Sequence, residues 1–146
     1  MLKKTFIVAL AVVVTAPTLA SAVDSIRQRY TLPAAAIDSN SFEIVEADGA
    51  GNAQLWCGAG IYARRVLGER GGDITIEMAR GPSQTRPGRK AVRFTTDPAA
   101  AAAGSSSLSL NVRREGVVFT MTHAYALCRQ FPHLKLRTGP NTLVRK

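Results

Sequence analysis

The chain is poor in the residues most enzymes work with. Its 146 residues include two histidines, His123 and His133, and two cysteines, Cys57 and Cys128. The histidines stand ten residues apart across Pro132, without metal-site spacing and without a carboxylate cluster beside them. No C-x-x-C, no haem-attachment run and no G-x-S-x-G occurs, so dithiol redox, c-type haem and nucleophile-elbow chemistry have no support. The ten acidic residues are scattered, and no pair is placed by sequence for acid–base work. One nucleophilic arrangement stays open, a cysteine–histidine pair drawn from Cys57 or Cys128 with His123 or His133. No cofactor and no metal is expected.

Long apolar runs are also missing. The run Phe6–Val14 follows Lys3 and Lys4 and leads to Leu19-Ala20-Ser21-Ala22. It is too short for a permanent membrane span, and charge, apolar core and A-x-A end together read as a signal peptide over Met1–Ala22. No later segment approaches spanning length, so no transmembrane segment is expected after cleavage. Ala22 is not a cysteine, so a lipid anchor at that cut is not indicated. The mature chain is then Val23–Lys146, 124 residues, enough for one domain with a real core. The expected compartment is the periplasm, with the extracellular medium as the alternative.

Negative charge is scarce too. Without Lys3 and Lys4, 17 basic side chains face 10 acidic ones. Such a balance suits a nucleic-acid binder. Export argues against nucleic acid, and few aromatics are interleaved with the arginines for base stacking. Anionic lipid head groups, anionic envelope polymers or acidic partner proteins fit better. No basic amphipathic helix of membrane-surface type is present. The densest basic stretch is RGPSQTRPGRKAVR, with Arg80, Arg86, Arg89, Lys90 and Arg93. It is not a phosphate loop: the Gly81–Gly88 spacing is wrong, and no Lys-Ser/Thr pair follows. It reads either as an anion-binding loop or as a solvated hairpin connection.

Against these shortages stands one well-marked element, NAQLWCGAGIYARRVLG over Asn52–Gly68. Asn52 suits an N-cap, and Gly68 suits a left-handed C-terminal end. Helical periodicity puts Leu55, Trp56, Ala59, Gly60, Tyr62, Ala63, Val66 and Leu67 on one side, with Gln54, Gly58 and Arg65 on the other. Gly60, on the apolar side, is expected to let another backbone approach. Gly58 is read as an outer position, either a tolerated glycine or the floor of a small ligand surface. Cys57 lies on a flank, suited to reach a neighbouring helix.

Strand patterns surround this helix. Alternation marks Ser41–Ala47, Asp73–Ala79, Lys90–Thr96, Ser106–Val112 and Val117–Met121. The inward positions include Phe42, Ile44, Ile74, Ile76, Met78, Leu108 and Leu110. A polar outer face, with Glu43, Thr75, Glu77, Arg93, Thr95, Ser107, Ser109, Asn111 and Thr120, is expected to meet solvent, a protein or a glycan. Thr122 or His123 begins a short second helix that Pro132 stops. Asp97-Pro98 and the alanines after it read as a capped turn or a loop. The expected fold is a two-layer α+β sandwich, a mainly antiparallel sheet of about five strands with two helices on one face, in the order β-α-β-β-β-β-α. Residues 23–40 read as an irregular arm, and 41–146 as one domain with an irregular basic tail. Two cysteines in an exported chain favour a disulfide, which side-by-side helices would permit; two free thiols are the rival.

Trp56-Cys57-Gly58-Ala59 with Tyr62-Ala63, then Gly81-Pro82 and a late Ala126-Leu127-Cys128, resembles a group of short, exported, uncharacterised bacterial proteins. The resemblance covers most of the mature chain. It implies export and a paired cysteine, and it implies no activity. The expected function is a disulfide-stapled binding module acting through the basic loop or the open sheet face. The alternative is a small thiol enzyme using Cys57 or Cys128.

Overall fold

The computed structural model describes residues 30–146; the expected signal peptide and the cut before Val23 lie outside them. The strands are β1 (Thr31–Ala36), β2 (Ser41–Val45), β3 (Asp73–Pro82), β4 (Lys90–Thr95), β5 (Ser105–Ser106), β6 (Val117–Thr120), β7 (Lys135–Arg137) and β8 (Leu143–Arg145). They form one sheet in the order β5-β6-β3-β4-β2-β1-β7-β8. The sheet is mixed: β1 runs parallel to β7 and β5 parallel to β6, and the other pairs are antiparallel. Three helices join it: α1 (Asn52–Arg65), α2 (Pro98–Ala103) and α3 (Met121–Ala126), the last running on as a 3₁₀ turn over Leu127–Gln130. Among the described residues the protein is thus α+β, with eight strands rather than five and three helices rather than two.

The added strands come from both ends. Thr31–Ala36 reads as irregular because Pro33 cannot donate to a ladder and three alanines carry no strand preference. It becomes a strand because β2 and β7 flank it, and Leu32 and Ala34 are buried. The tail, expected to be irregular, supplies β7 and β8. In the middle, β3 is longer than its alternation suggests. Register shifts against β4 fall between Ile76 and Met78 and between Met78 and Gly81. A bulge re-aims the chain beyond it, so Met78 is 40% exposed where an inward side chain was expected. Ser106–Val112 is not a strand beyond Ser106: Leu108 is 95% exposed, although Val112 is buried.

Helix α1 begins one residue earlier than its cap was expected. Gly51 is the N-cap, and the Gln54 side chain accepts from its amide at 3.1 Å. The helix stops at Arg65, and Gly68 follows with φ of 77°. Residues Leu55 through Ala63 are all buried, because α1 is covered on two sides. On one side is the sheet: a Cβ on Gly58 would stand 3.2 Å from Ile44 Cγ2 and 3.4 Å from atoms of Leu136 and Leu32. Gly58 is therefore a packing position and not the floor of a ligand surface. The amphipathic reading placed it outside because periodicity records one buried face, and this helix has two. On the other side is α3. A Cβ on Gly60 would lie 2.7 Å from Tyr125 N and 2.9 Å from its Cα, so a backbone does approach there. Trp56 stacks on Phe119 with ring centres 4.2 Å apart, and Phe42 stacks on Tyr62 at 4.3 Å.

This asymmetry gives a test. Gly60→Ala must push the α3 backbone away, and overpacking of that kind costs about 1–3 kcal/mol. The gain in helix propensity, about 1 kcal/mol, offsets only part of it. A lowered urea midpoint is expected. Gly58→Ala meets only side-chain methyl groups and should stay within about 1 kcal/mol of the parent. Equal losses at the two positions would overturn the close approach.

Candidate functional site

The 83–90 loop joins β3 to β4, and its centre is a carboxylate from another strand. Glu43 on β2 is 2% exposed. It accepts from Ser83 Oγ at 2.8 Å, Gln84 N at 2.8 Å, Thr85 N at 3.1 Å and Thr85 Oγ1 at 2.7 Å. Burial alone would raise its pKa; these hydrogen bonds to the charged form outweigh that and hold it below the ordinary glutamate range. The loop does bind an anion, and the anion is internal.

Its cations are largely occupied as well. The Arg80 guanidinium makes a two-pronged ion pair with Glu46 through Nε at 2.9 Å and through Nη2. Arg89 donates to the Glu46 carbonyl at 2.7 Å. Arg93 donates to Gln84 Oε1 and lies 3.8 Å from Glu77. Of the five candidates, Arg86 and Lys90 alone are exposed without a side-chain partner among the described residues.

The outer sheet face is only in part the open surface its alternation suggests, with Glu77 and Thr120 exposed. Ser41, Glu43, Thr75 and Thr95 are all buried. The loop over Glu43 covers one part. Helix α2, capped by the Asp97 side chain, packs against β3, and Asp97 N donates to Thr95 Oγ1 at 3.1 Å. Short-range alternation cannot foresee a distant segment folding back over the second face.

Cys57 and Cys128 form a disulfide with Cα atoms 5.0 Å apart. They are 0% and 1% exposed, so in this state neither sulfur offers a thiolate. His123 donates its amide to the N-cap hydroxyl of Thr120 and sets its ring 4.6 Å from that of Phe119. Among the described residues no group of three potential metal ligands gathers, and no helix is long and apolar enough to cross a membrane.

A second group of exposed cations lies elsewhere, where α1 meets α3. A cleft of about 370 Å³ opens over the disulfide, lined by Arg64, Thr122, Tyr125, Arg129 and Lys146 around Cys128. The Arg64 guanidinium sits 4.3 Å from the Tyr125 ring centre, a cation–π contact that holds the charge at the rim. Lys146 Nζ donates to the Cys128 carbonyl at 3.3 Å. Among the described residues no aspartate or glutamate side chain lines this cleft. A neighbouring one of about 310 Å³ shares Arg64 and Tyr125 and adds Arg65, Arg70 and Glu69. The ion pairs among the described residues engage Arg80 and Arg93, and none of the cleft cations. A concave surface lined by one sign of charge concentrates the opposite ion. One sequence signal could have pointed here: no acid follows Glu115, while Arg129, Lys135, Arg137, Arg145 and Lys146 do.

These features define an α+β domain with an eight-stranded mixed sheet, a disulfide-clamped helix pair and a cationic cleft above the clamp. No family model, curated protein or solved structure matches the chain.

Proposed function

We propose that the protein is an exported, periplasmic binding module without catalysis, and that the Arg64–Arg129–Lys146 cleft takes a phosphate-bearing component of the envelope, a lipid head group or an anionic polymer. The carrying observation is the contrast between two basic regions. In the 80–93 stretch Arg80, Arg89 and the loop amides serve Glu46 and Glu43; in the cleft three cations converge with no aspartate or glutamate among the described lining residues. A buried disulfide beneath the site is consistent with an oxidising compartment. The resemblance to short exported bacterial proteins agrees with the same placement.

The test is binding to vesicles with and without phosphatidylglycerol. Affinity for the anionic vesicles should fall steeply as salt rises. Arg64→Ala with Arg129→Ala should weaken it about tenfold, as expected for two partly exposed charge contacts of about 0.5–1 kcal/mol each. Arg86→Ala with Arg89→Ala should change it little. Salt-insensitive binding, or equal losses from the two double variants, would remove the cleft from the proposal. Binding to a soluble phosphate polymer but not to vesicles would select the polymer.

A further inference from the structure

The C-terminal hairpin contains an arrangement that its own packing does not explain. Strands β7 and β8 pair Lys135 with Arg145, Leu136 with Val144 and Arg137 with Leu143. Leu136 is buried and faces α1, since its Cδ2 would lie 3.4 Å from a Cβ on Gly58. Side chains alternate along a strand, so Lys135, Arg137 and Arg145 share the opposite face. Directly opposed residues hold their Cβ atoms about 4.5–5.5 Å apart, and like charges there repel. Lys135 is half-buried, which limits the relief water can give. Among the described residues no carboxylate pairs with either cation. His133 joins them in lining a recess of about 260 Å³ walled by Pro132 and Leu134.

The next residue completes the geometry. Lys146 follows Arg145 and turns to the helix side, where its Nζ bonds the Cys128 carbonyl at the floor of the cleft. The end of β8 thus carries one cation toward each face of the sheet.

We propose that His133, Lys135 and Arg145 form a second oxyanion site, suited to a phosphate group, on the face of the hairpin opposite the cleft, so that one molecule bridges two anionic groups. A phosphate between Lys135 and Arg145 supplies the missing countercharge: Arg145 presents a planar fork to two oxygens, Lys135 a point charge, and the His133 ring a further donor. The bridging rests on the cleft proposed above; the second site does not.

The experiment titrates the folded protein with inorganic pyrophosphate while following backbone amide shifts, and adds the protein to phosphatidylglycerol vesicles while following turbidity. Two saturating sets of shifts are expected, one at residues 133–137 and 143–145, the other around Arg64, Tyr125 and Arg129. Lys135→Glu places opposite charges across the hairpin, so folding should survive. It should weaken the hairpin set at least tenfold, abolish vesicle clustering and leave the cleft set in place. Lys135→Gln should act the same way more weakly. Arg64→Ala with Arg129→Ala should weaken the cleft set about tenfold, reduce the clustering and spare the hairpin set. Hairpin amides that do not shift, or that shift equally in the parent and in both Lys135 variants, overturn the second site. A hairpin set without a cleft set in the parent overturns the bridging and the cleft while the second site stands.

Discussion

Replacing Cys57 and Cys128 together by alanine is expected to lower the stability of the folded protein by about 4 kcal/mol, the chain-entropy value for a closed loop of this length. The bond spans 71 residues and joins α1 to the 3₁₀ turn after α3. Whole domains are stable by about 5–15 kcal/mol, so the loss is a large share of the total. Helix α3 has six residues, too few to persist on its own. What holds it is the bond at one end, the approach to Gly60 in the middle and the Thr120 cap at the start. Urea unfolding of the oxidised protein and of the double alanine variant measures the difference directly. A loss under about 1 kcal/mol would mean that packing alone fixes the helix pair. Reductant should act slowly on the native protein, because both sulfurs are buried. The cleft should loosen with the bond, since Cys128 lines it and anchors Lys146.

Glu43→Gln is expected to cost about 3 kcal/mol, within the range for losing charge-assisted hydrogen bonds and stranding their donors. The amide has one acceptor oxygen where the carboxylate has two, and its NH₂ would face groups that themselves donate. Four donors from Ser83, Gln84 and Thr85 converge on the carboxylate. The acid dependence follows. The folded-state pKa of Glu43 lies below its ordinary value of 4.5. Its contribution is therefore complete above that ordinary value and is lost as pH falls through the lowered folded value. Parent and variant should differ by a constant amount at neutral pH, and the gap should close as acid is added below about pH 4.5. A gap unchanged at pH 3 would show that the charge on Glu43 is not what orders the loop. Protection of the Gln84 and Thr85 amides from hydrogen exchange should fall in the variant while that of the β2–β4 ladder persists.

The parts of the fold readable from sequence are those whose signals are local. Strands β2, β4 and β6 show themselves by alternation, α1 by its helical period, and Asp97-Pro98 opens α2 with a cap, one of the two readings of that stretch. Cys57 and Cys128 were legible as a pair because two cysteines in a chain expected to be exported favour a disulfide, which side-by-side helices permit. What stayed hidden depends on distant partners. β1 has a proline and three alanines, and becomes a strand through β2 and β7. The burial of Glu43 and Thr95 depends on a loop and a helix that return over the second face. Leu108, with the alternation of a buried strand residue, ends 95% exposed because the strand stops at Ser106. The basic 80–93 stretch was visible, but its partners Glu43 and Glu46 lie more than thirty residues upstream. The cleft was invisible for the same reason: Arg64 and Arg129 come together through the disulfide and the Gly60 contact.

The parallel pairing of β1 with β7 also bears on the order in which the protein can be completed. Thr31 aligns with Lys135, and Pro33 with Arg137. β1 finds β2 within a few residues, yet its other edge has no partner until residues 135–137 are available. A chain emerging from its N-terminus would carry that strand half-paired, with open backbone donors and acceptors, a state that invites pairing between molecules. Loss of residues 135–146 would therefore do more than trim a tail: it would leave β1, an interior strand of the sheet, as an edge.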